Sequence, residues 1–418
     1  MQRHQVYQFL VTTLIRNSLK MNQKSEQLTA AYNIVVEDDQ SLSPSALRST
    51  VVNCLGNNCT EETLYGKKVL VYQCNAGKKV LLCKNITYLG NPHPIFKKRI
   101  QIPSEWIDLT RKLEHDGYDV RFIGVYHYDG FVVFADFLKD TYMQRNCHNS
   151  AAHIYINDIY QGVTQGVFEK EDQNGNIIRA ISRSKFASYL EGNEKNKSNL
   201  VELFAKFNSG FSFGQWIKAV ECIQEMHDKH WSQWKQAEWA GWFLEYKFYH
   251  FTKKSNVVPF IKYTALSCKG HKKDTFDFDL WFPNDNFYGD LKASDISVPK
   301  APGNDQKSFI DCINKYGKFW YAIYEHETEK DSKHSYEATI FWNKLLGKND
   351  LMSYSDKMKH SVKFIRMCII EINKINFHNI LSTFKQGHQP DGSKRNPKFN
   401  INKRNIDNYV VYRYSLKQ

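Results

Sequence analysis

Residues 275–294 read Thr275-Phe-Asp-Phe-Asp-Leu-Trp-Phe-Pro-Asn-Asp-Asn-Phe-Tyr-Gly-Asp-Leu-Lys-Ala-Ser294. Two apolar segments flank a Pro-Asn-Asp-Asn sequence that is typical of a turn, so the pattern predicts two antiparallel strands. Residues i and i+2 of a strand share a face. Asp290 and Lys292 therefore project together, with Leu291 directed into the core, while Asp277 and Asp279 share a face of the partner strand.

The predicted hairpin brings one of these two aspartates beside Asp290, an arrangement that suits the hydrolysis of a phosphodiester. Two carboxylates on adjacent strands can bind Mg²⁺, a hard cation that keeps several waters and coordinates phosphate oxygens. A bound Mg²⁺ lowers the pKa of a coordinated water and stabilises charge that develops on the phosphate. Lys292 can orient that water and offset charge near the scissile phosphate.

A helical segment rich in aromatic residues, from Gln236 to His250, precedes the hairpin and carries two acids. Glu238 and Glu245 are seven residues apart and so lie near the same helix face. Carboxylates on an aromatic face are costly to bury unless something binds them. We therefore expect one of the two to complete the metal site, and the sequence leaves both open.

This order of residues resembles the PD-(D/E)XK nuclease superfamily, and within it the type II restriction endonucleases. The shared features are a helix acid, a strand aspartate and Asp-x-Lys on the next strand, over about residues 231–325. The resemblance implies a mixed sheet flanked by helices. It also implies that Asp279 and Asp290 bind the metal, that Lys292 is the catalytic lysine and that Glu245 is the helix acid.

The chain departs from the family pattern at one position, because the Pro-Asp opening is absent. Asp277 and Asp279 compete for that place, and we prefer Asp279 because Leu280-Trp281-Phe282 follow it directly in the strand. Gly241, four residues before Glu245, is similar to a glycine that often precedes the helix acid.

An acid two positions before a lysine is a weak signal by itself, since this chain also has such pairs at Glu245, Asp305 and Asp331. Only the pair that begins at Asp290 lies in an apolar strand that follows an aspartate-bearing strand. The alternative interpretation is a solvent-exposed hairpin in which Asp and Lys pair across strands.

The length of 418 residues favours two domains. Strand patterns dominate residues 64–186, where Asp129-Gly130 predicts a tight turn between two apolar strands, and helical and strand periods alternate after Asn208-Ser209-Gly210. We predict an α/β chain (α+β overall). Residues 1–209 would form a β-rich DNA-recognition domain, and residues 210–418 a restriction-endonuclease-like mixed-sheet catalytic domain with a basic tail. No internal repeat is visible.

The net charge of +13 attracts polyanions, and with the hairpin it favours a nucleic-acid partner. The resemblance implies that this partner is double-stranded DNA. Two basic segments supply candidate contacts to phosphates and base edges. The first consists of Lys97, Lys98, Arg99 and Gln101, and the second, in the C-terminal tail, of Lys394, Arg395, Lys403 and Arg404.

No apolar run reaches the roughly 18 residues of a membrane span, and no signal peptide is recognisable, so we predict a cytoplasmic protein. Two DNA strands and one site per chain predict a homodimer, and the resemblance implies a cognate DNA methyltransferase as a partner in the same system. Two alternatives remain: a non-specific or structure-specific repair or recombination nuclease, and a non-enzymatic DNA-binding protein with a decayed site.

The nine cysteines do not form a disulfide framework. Cys54, Cys59, Cys74 and Cys83 form a loose cluster without a Cys-x-x-Cys pair. The sequence favours reduced thiols there and leaves a zinc site as the alternative.

Overall fold

A computed structural model describes residues 24–144, 149–194, 199–265, 276–348, 358–385, 387 and 392–416. The chain forms two compact units, Met1–Asn196 and Lys197–Gln418. Within the described residues, no helix is long and apolar enough to cross a membrane.

The N-terminal unit combines five helices and twelve strands in its described part. The helices are α1 (Pro44–Leu55), α2 (Ser104–His115), α3 (Lys139–Met143), α4 (Ile156–Gln165) and α5 (Phe186–Leu190). The strands are β1 (Ser25–Leu28), β2 (Ile34–Glu37), β3 (Cys59–Leu64), β4 (Lys67–Cys74), β5 (Gly77–Asn85), β6 (Thr87–Tyr88), β7 (Lys97–Pro103), β8 (Asp119–Tyr128), β9 (Phe131–Phe137), β10 (Asn149–Tyr155), β11 (Val167–Glu171) and β12 (Ile177–Ser182).

The main sheet of this unit has the strand order β11-β12-β9-β8-β5-β4-β3. All neighbours are antiparallel except β5 and β8, which are parallel and are separated in sequence by α2. The Asp129-Gly130 turn between β8 and β9 has positive φ at both residues, as predicted for a tight hairpin. Leu47 and Val51 of α1 pack on one face of this sheet. A smaller sheet has the order β10-β7-β6, and β1 pairs with β2.

The C-terminal unit combines six helices and ten strands in its described part. The helices are α6 (Asn199–Gly210), α7 (Ala219–Asp228), α8 (Trp239–Thr252), α9 (Gln306–Tyr316), α10 (Glu337–Leu345) and α11 (Phe377–Ile380). The strands are β13 (Trp216–Lys218), β14 (Lys262–Tyr263), β15 (Leu280–Phe282), β16 (Phe287–Asp295), β17 (Lys300–Asp305), β18 (Lys318–Lys330), β19 (Lys359–Asn373), β20 (Leu381–Phe384), β21 (Lys398–Asn402) and β22 (Val410–Ser415).

The main sheet here has the order β13-β19-β18-β16-β15-β14, with β22 also paired to β19. β16 and β18 are parallel, and α9 lies between them in sequence. Asp305 caps α9 by accepting the N–H of Ser308 at 2.9 Å, and Gly317 ends the helix with φ of 83°. Phe309 and Ile313 of α9 pack on Tyr288 and Tyr321 of the sheet, which covers the face that also bears Asp290.

The architecture confirms the predicted α/β class, α+β overall, with mixed sheets and flanking helices. The division between the units falls before α6, whereas the predicted boundary at 209–210 falls at the end of that helix. The reason is packing: Phe204 and Phe207 of α6 contact Phe248 of α8, so the helix belongs to the C-terminal unit.

The basic C-terminal tail contains the strand β21, which pairs with both β17 and β20. Phe399 and Ile401 alternate with polar residues along β21 and are buried. That alternation was the available signal, but it covers only five residues in a basic, proline-containing segment.

Candidate active site

The hairpin of β15 and β16 places two carboxylates side by side. Its register pairs Leu280 with Gly289, so Asp279 and Asp290 face each other at the next position. The backbone N–H of Asp279 donates to Oδ1 of Asp290 at 3.1 Å, and the N–H of Leu291 donates to Oδ2 of Asp279 at 3.0 Å. These reciprocal bonds fix both carboxyl groups at one end of the hairpin.

Asp290 is almost fully buried, with 2% of its surface exposed. It forms an ion pair with Lys292, and Asn304 donates from Nδ2 to its Oδ2 at 2.6 Å. Burial by itself raises the pKa of the Asp290 carboxyl, but Lys292 and the hydrogen bonds from Asp279 and Asn304 hold that pKa below its ordinary value. Asp290 is therefore the ionised carboxylate of the pair.

The pKa of Asp279 lies well above its ordinary value, first because of burial and then because of the charges of Asp290 and Glu245. Burial, followed by the charge of Asp290, raises the pKa of Glu245 to about 8, although the Tyr263 hydroxyl donates to its Oε2 at 2.6 Å and opposes the rise. Burial alone lowers the pKa of Lys292, but Asp290 and Asp279 raise it above its ordinary value. One lysine thus stands among three mutually repelling carboxyl groups, an arrangement that a divalent cation would relieve.

The donor set fits Mg²⁺. Asp279 and Asp290 offer hard oxygen ligands from adjacent strands, and Mg²⁺ is usually held by one or two carboxylates together with waters and substrate phosphates. No group of three His, Cys, Asp or Glu side chains in the described part of the chain is already arranged around a common metal position.

The structure separates the residues between which the sequence could not choose. Glu245 lies within electrostatic range of Asp290 and Lys292, whereas Glu238, before the first turn of α8, binds the ammonium of Lys359 at 2.5 Å. Asp279 faces Asp290 across the hairpin, whereas Asp277, two residues earlier in the chain, is exposed.

Two residues that contact this cluster were missed by the sequence prediction. Asn304 bonds to Asp290, and Tyr263 bonds to Glu245. Asn304 immediately precedes the helix-capping Asp305, and Tyr263 belongs to a two-residue strand. Neither position carries a pattern that marks it, because both reach the site through non-local packing.

The basic run on β7 divides between the two faces of the strand. Lys98 is fully buried, where its ammonium binds Asp39 Oδ1 at 2.5 Å and Ser25 Oγ at 2.8 Å, so the prediction that it contacts DNA is wrong. Lys98 lies on the same face of the strand as the buried Ile100 and Ile102, and this alternation could have predicted its burial. Lys97, Arg99 and Gln101 lie on the opposite face and are at least partly exposed.

The basic residues of the C-terminal tail also differ in their exposure. Lys403 is 9% exposed and donates to Glu325 Oε1 at 2.9 Å and to the carbonyl oxygen of Asp295 at 2.8 Å, so it braces β16 against β18 and is not placed to bind DNA. Lys394, Arg395 and Arg404 are exposed.

Replacing Lys403 with methionine is expected to reduce stability and to leave DNA affinity unchanged. The change leaves Glu325 paired with Arg366 and removes several hydrogen bonds, a cost of about 1–3 kcal/mol. Urea unfolding and DNA-binding titrations over a range of salt concentrations would measure the two effects. Lys394→Met is the matched exposed control and should leave stability unchanged. A weaker salt dependence of DNA binding in Lys403→Met, at normal stability, would contradict this role.

Cys54, Cys59, Cys74 and Cys83 form no disulfide bond in the structure. Cys54 donates to the carbonyl oxygen of Arg183, Cys74 donates to that of Gly77, and burial raises the pKa of Cys59 to about 12. The Cys59 thiol is therefore protonated at neutral pH.

Residues 78–190 match the family model described as Methylase-associated X1. The matched segment begins in β5 and ends in α5, entirely within the N-terminal unit. No curated protein and no solved structure matches the chain. The family match indicates a restriction–modification context, and it does not include Asp279, Asp290 or Lys292.

Proposed function

We propose that this chain is a Mg²⁺-dependent type II restriction endonuclease that hydrolyses phosphodiester bonds of double-stranded DNA. The observation that carries the proposal is the hairpin cluster, in which Asp279 and Asp290 face each other and Lys292 is paired with Asp290. The methylase-associated match supports the same context, because restriction endonucleases act beside DNA methyltransferases.

In this proposal each side chain has a separate task. Asp279 and Asp290 would hold Mg²⁺, which supplies Lewis acidity and a coordinated water of lowered pKa when bound. Lys292 keeps its charge beside Asp290 and can donate to the attacking water or to a non-bridging phosphate oxygen. Glu245 is oriented by Tyr263 and is the third carboxyl group at the site.

A single site per chain cuts one strand, so cleavage of a duplex at a palindromic sequence requires a homodimer. A cognate DNA methyltransferase would protect the host sequence, and both proteins would act in the cytoplasm. The face of β7 with Lys97, Arg99 and Gln101 would contact DNA in the N-terminal unit.

Incubating the full chain with plasmid DNA is expected to give discrete fragments in Mg²⁺ and intact plasmid in EDTA, because the carboxylate pair requires a divalent cation to bind phosphate. Agarose electrophoresis would measure the products. A smear in Mg²⁺ would favour the non-specific nuclease instead. A mobility shift without any cleavage, at all divalent cations tested, would reject the enzyme in favour of a DNA-binding protein.

A further inference from the structure

The N-terminal unit repeats the strand order that carries the site in the C-terminal unit. In the C-terminal unit, α8 is followed by the antiparallel strands β14, β15 and β16, and then α9 leads to β18, which is parallel to β16 and antiparallel to β19. In the N-terminal unit, α1 is followed by β3, β4 and β5, and then α2 leads to β8, which is parallel to β5 and antiparallel to β9. The two units therefore share one core topology.

In each unit, a ring of the crossover helix contacts a ring of the parallel strand, and this contact identifies the residues that correspond in the two cores. In the C-terminal unit, Asp290 pairs with Tyr321, and the ring of Tyr321 stacks on Phe309 of α9 at 5.7 Å between centroids. This fixes the position of Asp290 relative to the helix, the parallel strand and the hairpin.

The corresponding residue in the N-terminal unit is Leu82, which pairs with Phe122, whose ring lies 5.2 Å from that of Trp106 of α2. Lys84, two residues on, then takes the position of Lys292. Val69 faces Leu82 one step beyond the registered pair Leu70–Leu81, as Asp279 faces Asp290 one step beyond Leu280–Gly289. The lysine is kept, and both metal-binding carboxylates are replaced by apolar side chains.

A cavity of about 340 Å³ lies at this position. Val69, Leu82 and Trp106 contribute to its apolar lining. The cations on its wall are Arg48, Lys67, Lys68 and Lys84.

Among the described residues, two carboxylates form ion pairs with these four cations, which leaves two positive charges in excess. Glu61 pairs with Arg48 at 2.7 Å and with Lys68 at 3.0 Å, and Glu105 pairs with Lys67 at 2.7 Å. Such partly exposed ion pairs are worth at most about 1 kcal/mol each, so a phosphate can compete for the cations at small cost. Lys84 lines the cavity and is exposed.

We propose that this cavity binds a backbone phosphate of DNA without a metal ion and without cleaving it. The inference rests on the proposed function for the choice of DNA as the polyanion. The cations can bind phosphate oxygens, and the apolar lining can pack against deoxyribose. Residues 69 and 82 are not carboxylates, so they do not repel the phosphate. In the C-terminal core, Mg²⁺ must offset the repulsion between the phosphate and the carboxylates of Asp279 and Asp290. The N-terminal unit thereby holds and orients the duplex that the C-terminal unit cuts.

The test is DNA binding by the full chain in EDTA, followed as fluorescence anisotropy of a labelled duplex. Lys84→Glu is expected to weaken binding at least about tenfold and to reduce the slope of log affinity against log salt by about one. Lys78→Glu is the matched control, since Lys78 is exposed on the same strand and lies outside the cavity lining. It should bind DNA as the unchanged chain does. Thermal melting would verify that both variants fold.

Unchanged affinity and salt slope in Lys84→Glu would overturn the proposal, and so would an equal loss in Lys78→Glu. Cleavage in Mg²⁺ is scored separately, which distinguishes the two proposals. Binding that depends on Lys84 in a chain that never cuts would reject the nuclease and keep the phosphate site. Normal cleavage with binding independent of Lys84 would reject the phosphate site and keep the nuclease.

Discussion

Replacing Asp290 with asparagine is expected to lower plasmid cleavage by roughly 10³-fold or more while DNA binding survives. Asparagine keeps the shape of the side chain but removes the charge that holds both Mg²⁺ and Lys292. The fold should persist, because the pKa of Asp279 is raised first by burial and then by the charge of Asp290, while Lys292 lowers it. Removing the charge of Asp290 lowers the pKa of Asp279, so that Asp279 can replace Asp290 as the counter-ion of Lys292.

Cleavage rates in Mg²⁺ and binding in EDTA would be measured on the same preparation. Asp277→Asn is the matched control, since Asp277 lies in the same hairpin segment but is exposed and does not face Asp290. It should retain cleavage within a few-fold. Wild-type cleavage by Asp290→Asn would reject the assignment of the active site.

Replacing Gly289 with alanine is expected to damage both stability and cleavage. An added Cβ would lie 2.8 Å from the carbonyl oxygen of Trp320 and 2.9 Å from the ring of Phe282. Backbone of the neighbouring parallel strand cannot move aside as a flexible side chain can, so β16 must shift. Overpacking of this kind costs about 1–3 kcal/mol, and displacement of the adjacent Asp290 should lower the cleavage rate roughly 10- to 100-fold.

Gly241 supplies the control for Gly289→Ala. A Cβ at Gly241, inside α8, would meet only the Cβ of Ala293 at 3.9 Å, which is an ordinary contact. Gly241→Ala should therefore stabilise the chain by about 0.5–1 kcal/mol through helix propensity and leave cleavage intact. Urea unfolding and plasmid cleavage on both variants would check the pair. Normal stability and cleavage in Gly289→Ala would show that β16 tolerates the displacement.

The part of the site that lies within one hairpin could be predicted from the sequence. Asp290 and Lys292 share a face by strand alternation, and the apolar residues on both sides of the turn set the register that brings Asp279 opposite Asp290. The parts contributed by other elements could not be predicted. The spacing of Glu238 and Glu245 places both on one helix face and does not distinguish them. Only the position of α8 on the sheet brings Glu245 within electrostatic range of Asp290.

The basic residues illustrate the same limit. Lys98 and Lys403 appear in the sequence as members of cationic runs, yet both ammonium groups are buried against carboxylates far away in the chain, Asp39 and Glu325. A run of basic residues in the sequence indicates local charge, whereas the burial of each residue depends on which distant segment packs over it.

The sequence by itself determined the α/β class, the apolar hairpin and the pairing of Asp290 with Lys292, because periods of two and 3.6 residues and turn residues act over a few positions. Tertiary structure decided which acid joins that pair, which lysines are buried, and that the two units share one core topology. The shared core leaves no repeat in the sequence, because a fold is specified by strand order and apolar pattern. The residues at its site, carboxylates in one unit and apolar groups with cations in the other, are free to differ.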